Sequence, residues 1–379
     1  MRLLSATGFV VAAMLAGGCI SRGTLPQAPR DGEIVTKLKN LGVEGLTYQN
    51  NLGAHDSIFL KDVHTIGADL LIEDIHGHLV YVDGPSMNPK WQFNGMPSAF
   101  DEKPDYTPSA IIGIASGELY VITRFNGVES PSHSRVPLVA SAAPVATEST
   151  LYVPTYATPK SGKNVQTVSI GSGYVGWGVR TSGEITADVA KGGPLGGDTI
   201  YVGTTNGSVY AFPTAASNRP SPGTAWSMSV NSPVFFDLEV EGSDLGVVTS
   251  DARLVCIDRG TGTVRWKAHP NPRERAESGA QFSQSLAFYR VSGELRAFNR
   301  DSGESAWNLD GGRRFLAERD DFVLIGGDNG WIYQVDTKTG EVRAEEHLPG
   351  VTIPSRTAPN GTIVVVTNRG LMVGVEYGF

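Results

Sequence analysis

The residues with the most obvious chemical potential are two histidines, His76 and His78, on either side of Gly77. Imidazole nitrogens bind Zn²⁺, but a stable site needs three or four ligands, and the sequence places no third ligand beside this pair. The chain has 7 histidines in all, and none accompanies a Gly-x-Ser-x-Gly elbow that would expose a nucleophilic serine. The sequence therefore predicts no metal site and no catalytic triad.

The two cysteines are predicted to have different roles. Cys19 follows an apolar N-terminal segment, which leaves Cys256 alone in the rest of the chain, so no internal disulfide is expected. Cys256 lies two residues before Asp258, where the matching phrases elsewhere have Ala211 and Ala297. We interpret Cys256 as a small buried residue and not as a reactive thiol.

The N-terminus has the pattern of an export signal, with one basic residue, a short apolar stretch to Ala16 and small residues before Cys19. The stretch is too short to span a bilayer. It resembles the lipobox of bacterial lipoproteins, which implies a lipid-modified Cys19 and stable anchoring. Ile20, in place of an aspartate, favours the periplasmic face of the outer membrane. We predict a signal peptide over residues 1–18 and a lipidated tether over 19–44.

The charge of the chain argues against nucleic acid as a partner. It carries 31 Lys and Arg against 39 Asp and Glu, a net charge of −8, and no block of like charges. Nucleic-acid binding depends on a basic surface, and a polybasic segment would be needed to bind an anionic membrane surface. Proteins of the envelope remain the best class of partner, with the membrane reached through the lipid anchor.

A short phrase recurs eight times after this N-terminal region. Each copy has an alternating apolar run, a turn that contains glycine in most copies, a second run and a closing residue, namely Asp83, Thr123, Ser169, Pro213, Asp258, Asn299, Asp336 and Glu376. The steps between these closing residues are 40, 46, 44, 45, 41, 37 and 40. A period near 40 with one hairpin per unit is typical of a β-propeller.

Each unit is expected to supply one blade. In residues 199–212, β-branched and aromatic residues alternate with small ones around Asn206-Gly207, a pair that predicts a primed hairpin turn. With a short strand before each hairpin and another after it, the fold class is all-β. We predict a single domain over residues 45–379, an eight-bladed β-propeller of four-stranded antiparallel blades.

The ring is expected to close through the N-terminus. Only three residues follow Glu376, too few for an outer strand, and a bare sheet edge is an aggregation hazard. Residues 45–52 have strand character. We predict that they form the outer strand of the last blade, with Tyr48 at the position that tryptophan occupies in other blades.

The phrase CIDRGTGTVRW at residues 256–266 resembles the tryptophan-docking repeat of the pyrroloquinoline-quinone-like (PQQ-like) propellers. AFNRDSGESAW at 297–307 is similar, and DTKTG at 336–340 is a third copy with Ala344 where tryptophan belongs. In that family the motif packs neighbouring blades together and touches no substrate. The resemblance implies a structural docking role for Trp91, Trp177, Trp266, Trp307, Asp258, Gly262, Gly303 and Gly340.

Two branches of this family remain as alternatives. Quinoprotein dehydrogenases bind PQQ and calcium on the propeller axis beneath two adjacent cysteines, and they are much longer than this chain. The chain has no adjacent cysteine pair. The second branch, the propeller lipoprotein of the outer-membrane β-barrel assembly machinery, implies an eight-bladed, non-catalytic scaffold that holds the barrel-inserting subunit and needs no cofactor. We favour this branch, with a quinoprotein oxidoreductase or a carbohydrate- or surface-binding propeller as alternatives.

Two long polar loops are the candidate partner-binding elements. They cover residues 154–164, with Lys160 and Lys163, and residues 269–280, with Arg273 and Arg275. Strand alternation places both at the same face of the ring, and loops on a rigid scaffold are where binding usually occurs. The sequence predicts a basic-edged docking face there.

Overall fold

The computed structural model describes residues 31–41, 47–51, 60–84, 86, 88–130, 134–156, 164–192, 199–214, 223–268, 273–319, 321–352, 362–367 and 371–376. Cys19, Lys160 and Lys163 lie outside the described residues, as does the side chain of Tyr48.

Helix α1 spans Asp31–Asn40, and the strands follow it in chain order. They are β1 Thr47–Asn51, β2 Leu60–Ile66, β3 Asp69–Asp74, β4 Leu79–Val82, β5 Pro89–Phe93, β6 Asp105–Tyr106, β7 Ala110–Ala115, β8 Glu118–Thr123, β9 Ser134–Arg135, β10 Val145–Ala146, β11 Thr150–Pro154, β12 Val165–Ser169, β13 Val175–Val179, β14 Ala190–Lys191, β15 Thr199–Gly203 and β16 Ser208–Pro213. The second half contains β17 Trp226–Ser229, β18 Glu239–Glu241, β19 Asp244–Val248, β20 Leu254–Asp258, β21 Val264–Ala268, β22 Gln281–Phe282, β23 Leu286–Val291, β24 Glu294–Asn299, β25 Ser305–Asp310, β26 Gly312–Arg319, β27 Phe322–Gly327, β28 Trp331–Asp336, β29 Val342–His347, β30 Val351–Thr352, β31 Thr362–Thr367 and β32 Leu371–Glu376. A 3₁₀ turn, Asp328–Gly330, joins β27 to β28.

These strands pair antiparallel into four-stranded sheets, of which the described residues contain eight. Seven are simple meanders of consecutive strands, from β2–β5 to β26–β29, and we number them first to seventh along the chain. The eighth sheet has the order β1-β32-β31-β30. The predicted all-β architecture of four-stranded antiparallel sheets is confirmed.

The outer strand of the eighth sheet comes from the other end of the described chain. β1 pairs with β32 in the register Thr47↔Val375, Tyr48↔Gly374 and Asn51↔Leu371. Gly374 lies two residues before the closing residue Glu376. In the fifth sheet, Trp266 pairs with Cys256, which also lies two residues before its closing residue, Asp258. The backbone of Tyr48 therefore occupies the register position of the tryptophans.

Hydrophobic clusters lie between consecutive sheets and join them. Trp91 and Leu71 of the first sheet share a cluster with Ile111 of the second, and equivalent clusters join every consecutive pair up to the sixth and seventh sheets. The second to sixth sheets are thus covered on both faces, which explains why their two middle strands are almost continuously buried and apolar.

The hairpin turns differ from the expectation at Asn206-Gly207. Gly207 has a φ of +81°, but Asn206 is outside the left-handed region, so this turn is not of the primed two-residue type, which needs positive φ at its first central residue. Positive φ at two successive residues occurs instead at Ser116-Gly117, Ser292-Gly293 and Asn329-Gly330. A Cβ on Gly207 would lie 2.7 Å from the backbone of Ser232 in the next blade connection.

The predicted tether over residues 19–44 needs correction in its C-terminal part. Asp31–Asn40 form α1, and Ile34, Leu38 and Leu41 are 0–1% exposed in a cluster with residues of the seventh sheet and Val365 of the eighth. Lys37 Nζ also donates to the carbonyl of His347 at 2.7 Å. Because its apolar stripe is buried, this segment is part of the folded domain.

Candidate functional site

The predicted docking tryptophans link neighbouring sheets through their indole N–H groups. Nε1 of Trp266, in the fifth sheet, donates to the carbonyl of Arg300 in the sixth at 2.7 Å. Trp307 makes the same bond to the carbonyl of Thr337, and Trp91 to that of Arg124, both at 2.9 Å. These three tryptophans are only 7–8% exposed. A buried indole needs an acceptor for its N–H group, and each of these three has one.

The glycines of the motif leave space for these rings. A Cβ on Gly303 (φ +73°) would lie 2.5 Å from the ring of Trp266, and one on Gly340 (φ +74°) would lie 2.4 Å from Cβ of Trp307. Gly262 faces the ring of Trp226 in the same way, at 2.6 Å. Each glycine therefore packs against the tryptophan of the preceding sheet. A side chain with a Cβ would overlap that tryptophan.

Trp226 is a docking residue that the sequence analysis missed. Its Nε1 donates to the carbonyl of Arg259 at 3.0 Å, and it pairs with Ala211 in the register of the other tryptophans. It lies 13 residues after its closing residue, Pro213, where the other units have a spacing of eight, so the insertion concealed it. A search for tryptophan at variable spacing would have found it.

Trp177 departs from the pattern of the other docking residues. Its ring meets that of Tyr152 edge-on at 5.9 Å, and it is the hydroxyl of Tyr152 that donates to the carbonyl of Thr214 in the next sheet, at 3.0 Å. The next unit has Ser217 where others have the receiving glycine. The sequence therefore has no glycine at the position that would face the ring of Trp177.

Asp258 organises its own turn. Its Oδ1 accepts bonds from the amides of Gly260 and Thr261 at 3.1 and 3.0 Å, and its Oδ2 accepts one from Arg265 at 2.9 Å. The bond from Arg265, followed by those from Thr261, lowers the pKa of the Asp258 carboxyl to about 2. The turn that carries Gly262 is thus held by a carboxylate that stays ionised.

An ion pair across the sheet interface was also missed. Asp244 of the fifth sheet accepts from Nε of Arg300 in the sixth at 2.8 Å and lies 2.7 Å from Nη1 of Arg265. Asp69 and Arg124 repeat the relationship between the first and second sheets at 3.5 Å. The signal was present in the sequence, because an arginine follows the closing residue in three units, at positions 124, 259 and 300.

The two ends of the sheets carry different loops. Turns between second and third strands and the connections from one sheet to the next lie at one end, which we call the connection face. Turns between first and second and between third and fourth strands lie at the other end, the motif face, which includes the Asp258 turn. Arg273 and Arg275 are exposed on the connection face.

The loop around Arg273 and Arg275 is less basic than expected. Glu274 pairs with Arg296 at 2.6 Å, and Glu277 pairs with Arg290 at 2.9 Å. Acidic and basic residues alternate along residues 273–277, so the charges of this stretch balance. A partner-binding role for Arg273 and Arg275 stays a prediction.

Exposed apolar side chains occur on both faces. On the connection face, Val139 is 75% exposed and Tyr156 is 51% exposed. On the motif face, Phe125 is 93% exposed and Tyr174 is 72% exposed.

The histidine pair of the first sheet is organised by one carboxylate. Asp74 Oδ1 accepts from the amides of His76 and His78, both at 2.8 Å, and its Oδ2 lies 2.8 Å from Nδ1 of His78. Within the described part of the chain, no group of three or more His, Cys, Asp and Glu side chains is arranged to hold a metal ion.

Cys256 lies in the core between the fifth and sixth sheets, fully buried beside Trp266 and Phe282. Burial, with Asp244 nearby, raises the pKa of its thiol to about 12. A thiol in this state is a packing group.

None of the helices in the described ranges is long and apolar enough to cross a membrane.

Comparison with known proteins gives a family match for part of the chain. The family model described as "Outer membrane protein assembly factor BamB", of the PQQ-like repeat type, matches residues 161–310. No curated protein sequence matches the chain.

Solved structures share the fold over most of the chain. The crystal structure of BamB from Moraxella catarrhalis is 15% identical, with a TM-score of 0.66, and the match covers 88% of this chain and 98% of that one. The quinohemoprotein alcohol dehydrogenase of Comamonas testosteroni is 11% identical, with a TM-score of 0.62 and coverages of 90% and 78%. The computationally designed protein Ika8 is 14% identical, with a TM-score of 0.61 and coverages of 86% and 98%. Together with the family match, these findings support a PQQ-like repeat propeller most like BamB.

Proposed function

We propose that this chain is a non-catalytic propeller scaffold, anchored by lipid at Cys19 to the periplasmic face of the outer membrane, that holds a protein subunit during outer-membrane protein assembly. The observation that carries the proposal is the match of residues 161–310 to the assembly-factor family. The similarity to the Moraxella BamB fold, which extends over nearly all of that chain, supports it. The export and lipidation pattern of the N-terminus agrees with the same location.

The architecture that we propose is a single ring of eight blades, closed by the N-terminal strand. The pairing of β1 with β32 supports closure, and so do the hydrophobic clusters that join each sheet to the next. Helix α1 adds a second N-terminal contact at the seventh and eighth sheets. A rigid ring of this kind presents its loops in fixed positions, which is what a scaffold needs.

The proposed anchor can be tested directly. Eleven residues, 20–30, separate Cys19 from α1, and an extended segment of this length reaches about 40 Å. Cells that express the chain should incorporate labelled fatty acid into it, and the mature protein should partition into detergent. Cys19→Ser should abolish both. Labelling that persists in the variant would show that the lipid is attached elsewhere.

The partner is tested with a defined probe. We expect the purified chain to bind the periplasmic part of the barrel-inserting subunit from the same envelope, with a measurable Kd in isothermal titration calorimetry. An unrelated periplasmic protein serves as the negative control. Deletion of the gene should lower the amount of folded barrels in the outer membrane. Absence of binding together with normal barrel levels would overturn the proposal.

A quinoprotein oxidoreductase is the second candidate, since the dehydrogenase from Comamonas testosteroni shares the fold. The residues present do not suit that group. Cys256, the only cysteine after Cys19, is buried between sheets and so does not supply the adjacent cysteine pair that this branch places over the quinone. Addition of PQQ and Ca²⁺ should leave the absorbance spectrum of the purified chain as the sum of its components, with no dye-linked alcohol oxidation.

A carbohydrate- or surface-binding propeller is the remaining alternative. A pull-down with immobilised glycans, with the purified chain as the analyte, would reveal such binding. Retention that free sugar reverses would favour it over the scaffold.

A further inference from the structure

Two of the three arginines that follow a closing residue are bonded through all three nitrogens of the guanidinium group. Arg300 donates from Nε to Asp244 at 2.8 Å. Its Nη1 and Nη2 donate to the carbonyls of Ser283 and Glu241 at 2.6 and 2.9 Å. Arg124 also donates from Nε, Nη1 and Nη2, at 2.9 to 3.3 Å. These two side chains are therefore structural.

The third arginine, Arg259, is not used in this way. Within the described ranges, no acceptor lies within hydrogen-bond distance of its side-chain nitrogens. The sheet register gives the reason. Thr199, the first residue of β15, pairs with the closing residue Pro213, just as Asp244, the first residue of β19, pairs with the closing residue Asp258. Thr199 thus takes the place of the carboxylate that would pair with Arg259.

The acidic residues of the neighbouring turn are already paired with other arginines. Asp258 accepts from Arg265 at 2.9 Å through one oxygen, and its other oxygen accepts from backbone amides of its own turn. Asp244 lies 2.7 Å from Nη1 of Arg265 and accepts from Arg300. The guanidinium of Arg259 is therefore left without a carboxylate from the end of β20 or the start of β19.

A cavity of about 220 Å³ lies beside Arg259, between the fourth and fifth sheets on the motif face. Gly192 and Thr199 form the side that belongs to the first and second strands of the fourth sheet. A Cβ on Gly192 would lie 3.3 Å from Nη1 of Arg259. Because Gly192 has no side chain and Thr199 is short, the guanidinium remains accessible from the cavity.

Two aromatic rings, those of Tyr201 and Trp226, form another wall of the cavity. Their centroids are 5.9 Å apart, and the Tyr201 hydroxyl and the Trp226 indole both donate to the carbonyl of Arg259, at 3.2 and 3.0 Å. Trp226 is only partly buried, whereas the other three tryptophans that bond the next sheet are 7–8% exposed. Burial raises the pKa of Tyr201, and the charge of the nearby Arg259 opposes that rise. The cavity thus combines a fixed apolar wall with a cation.

We propose that this cavity binds the carboxylate of a peptide, with Arg259 as its partner and the rings of Tyr201 and Trp226 packed against the apolar atoms of the ligand. A planar guanidinium matches a carboxylate through two parallel hydrogen bonds. One guanidinium balances one negative charge, so a phosphate dianion fits less well. The volume is below the roughly 300–1,000 Å³ of pockets for whole small molecules, which suits a side chain or a chain end.

Four probes test the chemistry of the ligand. Acetyl-alanyl-leucine carries a C-terminal carboxylate, acetyl-glutamyl-leucine amide carries a side-chain carboxylate, acetyl-alanyl-leucine amide is neutral, and the fourth probe is inorganic phosphate. The readout is the NMR shift of the Trp226 indole N–H in the purified ¹⁵N-labelled chain, assigned with Trp226→Phe. We expect at least one acidic peptide to bind with a Kd of about 0.1–1 mM, and the neutral peptide and phosphate to bind at least about 10-fold more weakly. The tighter of the two acidic peptides identifies the source of the carboxylate.

Three variants test the residues. Arg259→Gln should weaken binding of the acidic peptide at least about 10-fold, because it removes the charge and the paired donors. Thr199→Asp supplies the carboxylate that the matching position has in the fifth sheet, so it should pair with Arg259 and abolish binding. Arg180→Gln, at an exposed position on the connection face, is the matched control and should bind like the wild type.

Stability separates loss of the site from loss of the fold. Since the side chain of Arg259 bonds no described residue, Arg259→Gln should melt within about 2 °C of the wild type. Thr199→Asp should melt no lower than the wild type. Asp198→Asn, directly before Thr199 and outside the described residues, should change the Kd less than about 2-fold. A larger gain in affinity would show that Asp198 is the partner of Arg259 and would overturn the inference.

Three further results would also overturn it. These are unchanged binding by Arg259→Gln or Thr199→Asp, tighter binding of phosphate than of both acidic peptides, and no shift of the Trp226 signal with either acidic peptide at about 10 mM. The measurements do not involve the barrel-inserting subunit. The proposed scaffold function is therefore unaffected by any of these results.

Discussion

The indole N–H of Trp266 and the carbonyl of Arg300 are 2.7 Å apart, although they belong to different sheets. The ring lies so close to Gly303 that a Cβ there would approach it to 2.5 Å. One side chain therefore satisfies its donor, buries its ring and closes the gap between two sheets. Equivalent contacts at Trp91, Trp226 and Trp307 make this relationship a repeated unit of the fold.

Gly303→Ala should destabilise the protein through two effects. The left-handed φ of +73° costs a residue with a Cβ roughly 1–2 kcal/mol, and overlap with Trp266 adds about 1–3 kcal/mol. Gly293→Ala is the matched control, since Gly293 has a φ of +87° and open space around its Cβ position. Urea unfolding should show the larger loss of free energy for Gly303→Ala. Equal losses would mean that the tryptophan contact imposes no steric demand.

Asp258→Asn should remove stability in a way that depends on pH. Because the folded-state pKa of Asp258 is lowered to about 2, its ionised form stabilises the protein above the unfolded pKa of about 4, and this contribution disappears as pH falls through 2. The difference in Tm between wild type and variant should therefore be full at pH 6 and shrink between pH 4 and 2. Asp301→Asn, at an exposed position in the next turn, is the control. A difference that does not change with pH would contradict the assigned role.

Asp244 and Arg300 should show strong coupling in a double-mutant cycle. Both side chains are largely buried, 7% and 16% exposed, so Asp244→Asn or Arg300→Gln alone leaves a poorly solvated charge and should cost about 3–5 kcal/mol. The double variant should cost less than the sum of the two. The i,i+4 pair Glu33–Lys37 on α1, whose side chains are 50% and 25% exposed, should couple by only about 0.3–0.5 kcal/mol. Coupling of similar size in both pairs would refute the importance of the interface pair.

Truncation from the N-terminus should show which N-terminal residues the folded domain needs for stability. A chain that begins at residue 31 keeps α1 and β1 and should melt like one that begins at residue 19. A chain that begins at residue 53 loses the outer strand of the eighth sheet and the burial of Ile34, Leu38 and Leu41, about 5–9 kcal/mol of apolar burial. Its Tm should fall by more than 10 °C. A melting curve that matches the full mature chain would rule out closure by the N-terminus.

The sequence predicted the repeats accurately because the hairpin and its closing turn depend on local chemistry. Gly207, Gly303 and the carboxylate of Asp258 are recognised from neighbours a few residues away. Trp226 was missed because an insertion changed its spacing, although its place in the sheet is the same. The sequence predicts a tether where α1 forms, since a stripe of three apolar residues does not reveal the core that covers it.

The two long polar loops also show what the sequence reveals and what it does not. The long loops at residues 154–164 and 269–280 were identified from their length and polarity. The bridge between Ala140 and Thr155 was not predicted, because it joins a connection between two sheets to the end of a strand.

The sequence by itself determined the period, the strand type and the positions of the turns, because these follow from φ preferences and side-chain alternation over short distances. Only the tertiary structure decided which sheet receives each tryptophan, where Asp244 meets Arg300, how α1 is buried and which exposed side chains share a face. Those relationships join residues that are distant along the chain, and packing between sheets selects them.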